Sequence, residues 1–329
     1  MKRSIMALVL GLVLTLTACT GGAPKEEKDA KPETPAKETS DVKQEEEQKD
    51  GDKKTVTVTT SFLYDMVGQL AGDAVNRELI IPAGEDPHLY VAKPQDLQKI
   101  EKADLLLYHG LHFEGKMQDV LEKKGYAVAD TFTKEKLGVM EEDGHEIIDP
   151  HFWFDLDLYK EATTNAANQL MELLPEQKEA IEKNLNAYLE ELDKLDAENK
   201  ELLSSIPEES RYLITPHDAF NYFSKRYEIP VMAPQGVSTD SEVANKDIQD
   251  TVDFIVEKKV KAIFAESTTD PARMEKLKEG AKAKGFEVEV VSGEGNELFS
   301  DSLAPEGEEG DSFVDMYRHN VKLIVEHLK

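Results

Sequence analysis

The sequence predicts an α/β fold of two lobes, each built on a mostly parallel sheet, joined by a long helix. Three observations predict it. Residues 55–130 alternate short apolar runs with amphipathic segments. Residues 155–206 are helical in pattern almost throughout, and from 211 the alternation resumes and runs to the end. Continuous apolar strands between helices are what a sheet covered on both faces requires.

The elements follow in order. "TVTVTT" (55–60) reads as a strand, and "SFLYDMVGQLAG" as a helix with Ser61 as N-cap and Gly72 as C-cap. "RELII" (77–81) is a strand, "KPQDLQKIEKA" a helix, "DLLLYHG" (104–110) a buried strand and "KMQDVLEKK" a helix, and "YAVAD" closes the series. In the middle, Pro175 separates two helical pieces. The second carries Ile181, Leu185, Tyr188, Leu192, Leu195, Asn199, Leu202 and Ile206 on one stripe, with a polar break at Asn199. A long helix packed on a globular body explains the stripe; a coiled-coil dimer is the rival reading, and a monomer is expected. "RYLITP" (211–216), "VKAIFAES" (260–267) and "FEVEVV" (286–291) are strands. "AFNYFSKRY", "KDIQDTVDFIVEKK", Pro271 to Lys284 and the last nineteen residues are helices.

The start of the chain stands apart. Lys2 and Arg3 precede an apolar run from Ile5 to Leu16, the pattern of an export signal and too short for a spanning helix. It ends "LTAC" at Cys19, the only cysteine, so no internal disulfide can form. The stretch resembles a bacterial lipobox, which implies lipidation of Cys19 and an anchor at the cell membrane, facing outside the cytoplasm. Residues 21–54 are nearly devoid of apolar side chains and cannot offset ordering entropy, so a disordered tether is expected. The expected division is a signal peptide at 1–18, the lipidated cysteine and tether at 19–54, one lobe at 55–154, the connecting helical segment at 155–206 and a second lobe at 207–329.

Across its 329 residues the chain carries a net charge of −28, with 40% hydrophobic and 32% charged residues. So acidic a chain is a poor partner for nucleic acid, whose phosphates need Lys and Arg. There is no HExxH helix, nucleophile elbow or P-loop, and no enzyme is expected.

The chemistry lies in the histidines, of which there are only eight. "DPHLY" at Asp86–Tyr90 returns as "DPHFW" at Asp149–Trp153. His88 follows the second strand, His151 opens the connection between lobes, and His217 follows "RYLIT" in "TPHDAF". Three imidazoles from three loops would face one inter-lobe cleft, where ligands of α/β folds bind. Such a set suits zinc, or manganese when oxygen ligands join it. A carboxylate is expected as the fourth ligand, and Asp301 in "ELFSDSL" follows the last strand. Proline before His88 and His151 stiffens each approach. Asp86 and Asp149 are placed to accept the second ring N–H or to cap the loop, and Glu266 to stand behind the site. His109 and His112 are expected to pack at a strand end, and His319 and His327 to be exposed or to face a helix terminus.

The stretches "GEDPHLY", "GLHFEGKMQDVL", "DPHFWFDL", "TPHDAFNYFSKRY", "GVSTDSE", "AIFAES" and "ELFSDSL" together resemble the metal-binding lipoproteins of bacterial ATP-binding-cassette importers for manganese and zinc. The resemblance covers the folded body from Thr55 onward. It implies Rossmann-like lobes joined by a rigid helix, one divalent metal ion held by His88, His151, His217 and Asp301, and delivery to a membrane permease with its cytoplasmic ATPase. Many manganese relatives have glutamate at the position of His217, which would favour zinc. However, a subgroup with similar stretches keeps the histidine and is mostly assigned to manganese. Many zinc relatives carry a His-rich loop before the second motif, where this chain has only His145, so Mn²⁺ is favoured over Zn²⁺. A metallohydrolase built on Glu266, or a surface adhesin, are the alternatives of another class.

Overall fold

The computed structural model describes residues 53–142 and 145–329. The signal segment, Cys19 and nearly all of the tether lie outside the described residues. The described part falls within one compact unit, Gln48–Lys329.

The first lobe opens with β1 (Lys54–Val58), α1 (Ser61–Ala71), β2 (Val75–Leu79), α2 (Pro94–Lys102), β3 (Leu105–Tyr108), α3 (Gln118–Leu121) and β4 (Tyr126–Ala127). The four strands form one parallel sheet in the order β2-β1-β3-β4. Val56 and Val58 point to the α1 face and are fully buried with Phe62, Leu63 and Met66. The opposite face packs Ile80, Ile81, Leu106 and Tyr108 beneath α2 and α3. An antiparallel hairpin follows, β5 (Val139–Glu142) with β6 (His145–Ile148), an element the strand–helix rhythm did not predict.

The connection is two helices, α4 (Leu156–Leu173) and α5 (Lys178–Ser204). With 27 residues α5 is about 40 Å long. It packs on α1, on α4 and on α9 (Phe313–Leu328), so one apolar core runs from β1 through the connection into the second lobe. The predicted stripe is buried at every position but one. Leu202 is 47% exposed and Leu203 takes its place, because the step from Asn199 is four residues rather than three.

The second lobe contains β7 (Leu213–Ile214), α6 (Asn221–Tyr227), β8 (Val231–Met232), α7 (Asn245–Lys258), β9 (Ala262–Phe264), α8 (Ala272–Ala283) and β10 (Glu289–Val291), then α9. Strands β7 and β8 pair in parallel, as do β9 and β10. Each pairing is extended by one parallel bridge beyond the strands, His217 with Gln235 and Glu266 with Leu298. His217 and Glu266 are thereby fixed three and two residues past the carboxyl ends of their strands.

Other local expectations shift. Thr60, not Ser61, is the N-cap of α1, its hydroxyl accepting from the Leu63 amide. Gly72 ends that helix at φ 50, as glycine can. β2 begins two residues earlier than "RELII", in register with β1. β8 was not anticipated. His319 is buried rather than exposed, its Nε2 3.0 Å from the Glu297 carbonyl, because that face of α9 lies against Phe299.

Candidate metal centre

His88 sits in the loop after β2. Asp86 Oδ1 accepts its backbone N–H at 2.9 Å, and Asp86 Oδ2 accepts the Thr239 hydroxyl at 2.6 Å. Asp86 thus caps the loop and does not receive the imidazole. The ring stands edge-on to Phe113 at 5.0 Å.

His151 leaves the β5–β6 hairpin. Asp149 Oδ1 accepts both its backbone N–H at 2.9 Å and its ring Nδ1 at 2.7 Å, so this carboxylate does both jobs expected of it. His217 follows β7. Its Nδ1 donates to Glu266 Oε2 at 2.5 Å, and the Ser300 hydroxyl donates to the same oxygen at 3.1 Å. Carboxylates on both Nδ1 atoms leave both Nε2 atoms to face inward.

Asp301 arrives from the loop after β10, held on either side. Trp153 Nε1 donates to the Ser300 carbonyl at 3.0 Å, and Ser61 Oγ accepts the Leu303 amide at 2.9 Å. The Asp301 carboxylate lies 3.1 Å from His217 Nε2, 3.3 Å from His151 Nε2 and 3.9 Å from His88 Nε2.

One atom from each of His88, His151, His217 and Asp301 lies within 4.8 Å of every other. None of the four residues is more than 3% exposed. The three Nε2 atoms and both Asp301 oxygens have no hydrogen-bond partner. Buried polar atoms are seldom left so, since each carries a desolvation penalty of about 1–3 kcal/mol. Three imidazole nitrogens and a carboxylate aimed at one point are a donor set for a divalent cation.

The electrostatics agree. Burial pushes His151 down, but the Asp149 and Asp301 charges outweigh it and hold the ring up at about 9. Burial likewise opposes protonation of His217, yet Glu266 and Asp301 hold it well above the usual range. Burial would raise Asp301, but His217 and His151 bring it well below. His88 goes the other way, to about 3, mainly through burial.

The remaining histidines are elsewhere. His109 is buried among Phe62, Phe113, Phe152 and Trp153, with Nε2 2.7 Å from the Thr60 hydroxyl. His112 is exposed with φ 63, His145 is exposed in β6, and His327 lies 3.2 Å from Glu289. Sequence reasoning missed Thr239, Asn221 and Tyr222, which touch Asp86 or Asp149 from the other lobe.

The family profile for the zinc-uptake complex component A, periplasmic (ZnuA), spans residues 56–327. The chain is 39% identical over 279 residues to the manganese-binding lipoprotein MntA of Bacillus subtilis, covering 83% of this chain and 89% of that protein. It is 37% identical to the zinc-binding protein TroA of Treponema pallidum, over 83% of this chain and 88% of that one. A solved TroA structure, from work on its metal-binding specificity, superposes with a TM-score of 0.83 at 64% identity, over 84% of this chain and all of that one.

Proposed function

This chain belongs to the family of periplasmic zinc-uptake component A proteins, the metal-binding solute-binding proteins of ATP-binding-cassette importers, and from that membership we propose that it captures Mn²⁺ through His88, His151, His217 and Asp301. It is a binding protein rather than an enzyme, as its relatives are. The observation that carries the ligand set is the convergence of five buried atoms without hydrogen-bond partners. Asp149 and Glu266 orient two of the imidazoles, and Asp86 fixes the loop of the third.

The ion is cargo, handed to a membrane permease driven by a cytoplasmic ATPase. A closed cage suits that role, since a catalytic zinc site keeps a position open for water. In this proposal Cys19 is lipidated, the charged tether spaces the body from the membrane outside the cytoplasm, and the monomer divides at 154 and 206 into lobe, connection and lobe. No helix of the described residues is long and apolar enough to cross a membrane.

Manganese is favoured because the stretch before the second Asp-Pro-His carries a single histidine, His145. Zinc is the second reading, supported by the relative named for it. The test is a titration of metal-free protein lacking the first 19 residues, with Mn²⁺ and Zn²⁺ separately, beside His217→Ala. One equivalent bound by the wild type and a sharp loss in the variant support the proposal; no stoichiometric binding of either ion refutes it.

A further inference from the structure

The first turn of α6 reaches across to the other lobe's half of the site. Asn221 Nδ2 lies 3.1 Å from Asp149 Oδ2, 3.2 Å from the Asp218 carbonyl and 3.4 Å from Met140 Sδ. An amide has two N–H donors, and the carboxylate and carbonyl are the stronger acceptors. The next residue completes the contact. The Tyr222 hydroxyl donates to the Asp149 carbonyl at 3.0 Å and accepts the Gly138 amide at 2.8 Å. A Cβ at Gly138 would stand 3.3 Å from both Asp149 Cβ and Tyr222 Cζ, so glycine lets the hairpin base close here. Asp149 is therefore gripped at its carboxylate and at its backbone by α6, while its other oxygen holds His151 twice. Asp218 directly follows His217.

We propose that Asn221 is a positioning residue that fixes the spacing between His151 and His217 and so sets discrimination between metals. The inference rests on the four-residue site proposed above. At an N/O donor set zinc binds more tightly than manganese whatever the protein, so only imposed geometry can narrow the gap. Zinc draws imidazoles in to about 2.0–2.1 Å and prefers a tetrahedron. A His151 whose carboxylate is pinned from the opposite lobe cannot follow that contraction freely. Loosening it should harm the weaker, larger ion more.

The test compares wild type with Asn221→Leu, of similar size without donors, and Asn221→Asp, of the same shape without a donor toward Asp149. Both are also made in an Asp149→Asn background. Affinities for Mn²⁺ and Zn²⁺ are measured by chelator competition, and the visible spectrum of the Co²⁺ form reports the coordination sphere. We expect Mn²⁺ affinity to fall about tenfold or more, Zn²⁺ affinity to fall less, and the Co²⁺ bands to shift. In the Asp149→Asn background the further loss should disappear, since the effect runs through that residue. Equal losses for the two ions with an unchanged Co²⁺ spectrum, or full additivity with Asp149→Asn, would overturn the inference. Metal-free melting temperatures show which variant is folded, and either one suffices. His217→Ala separates the two levels: if it binds like wild type the four-residue site fails, whereas if it loses binding and the Asn221 variants keep the wild-type ratio only this inference fails.

Discussion

Filling the site with a divalent ion must expel protons, and the number follows from the environment of each ring. His88, lowered to about 3, has none to lose at neutral pH. His151, held at about 9, is about 99% protonated at pH 7. His217 is held well above its usual value, against burial, by Glu266 and Asp301, and is protonated too. Only neutral imidazole binds a metal, so both protons are displaced; at pH 7 the one on His151, two pH units below its value, costs about 3 kcal/mol. The two rings share Asp301 and titrate as a coupled pair. The expected outcome is release of about two protons per ion between pH 6 and 8, with affinity rising about 100-fold per pH unit. Calorimetric Mn²⁺ titrations at one pH in buffers of different protonation enthalpy count the protons, and affinities at pH 6, 7 and 8 give the slope. The metal-free fold should respond in the opposite sense. Both rings have folded values above the ordinary 6.5, so their stabilisation is complete below that pH; the His151 part is lost as pH rises through about 9, and the His217 part as pH rises through that ring's own raised value. Release of less than half a proton per ion would refute the picture of two protonated rings around Asp301.

Three further outcomes are expected. Glu266→Gln removes the charge behind His217 Nδ1, and metal affinity should drop about 10–100-fold in the same titration while the metal-free protein stays folded. Leu203→Ala should destabilise by about 2–5 kcal/mol in urea unfolding and Leu202→Ala by less than about 0.5, since only the first is buried against the core. Glu114, buried and pushed up to about 7 despite donors from Thr59 and the His109 amide, favours its protonated form in the fold. The wild type should therefore lose about 3 kcal/mol as pH rises from 4.5 through 7, and Glu114→Gln should lose less over that window, which urea midpoints at pH 5 and 8 will show.

Much of the architecture was legible because it depends on local pattern. Buried parallel strands announce themselves as apolar runs, and the stripe on α5 from Ile181 to Leu195 is a simple periodicity. Where two leucines adjoin, at Leu202 and Leu203, periodicity cannot choose between them, and burial in the main core decides for Leu203. The β5–β6 hairpin has a signal in the sequence too, the Asp-Gly dipeptide at 143–144, but the runs on either side are too short and too polar to read as strands by themselves. β8 has only two residues, too few to show a period, and exists through its pairing with β7. The four candidate ligands were legible because chemistry restricts the residue type. The carboxylates behind them, Asp86, Asp149 and Glu266, were legible as well, but the residues that hold two of those carboxylates were not: Asn221 meets Asp149 across 72 residues and Thr239 meets Asp86 across 153, and an amide or hydroxyl in a loop has no pattern of its own.

The repeated Asp-Pro-His tripeptide has a meaning beyond this fold. In both copies the aspartate accepts the amide of the histidine two residues on, at the same 2.9 Å. The surroundings differ, since one copy trails a parallel strand and the other leaves an antiparallel ribbon. The turn is thus written into three residues and owes little to its host. That makes it a portable cassette for presenting an imidazole. Grafted onto loop exits of an unrelated scaffold, two or three copies would supply pre-oriented histidines without redesign of the underlying backbone.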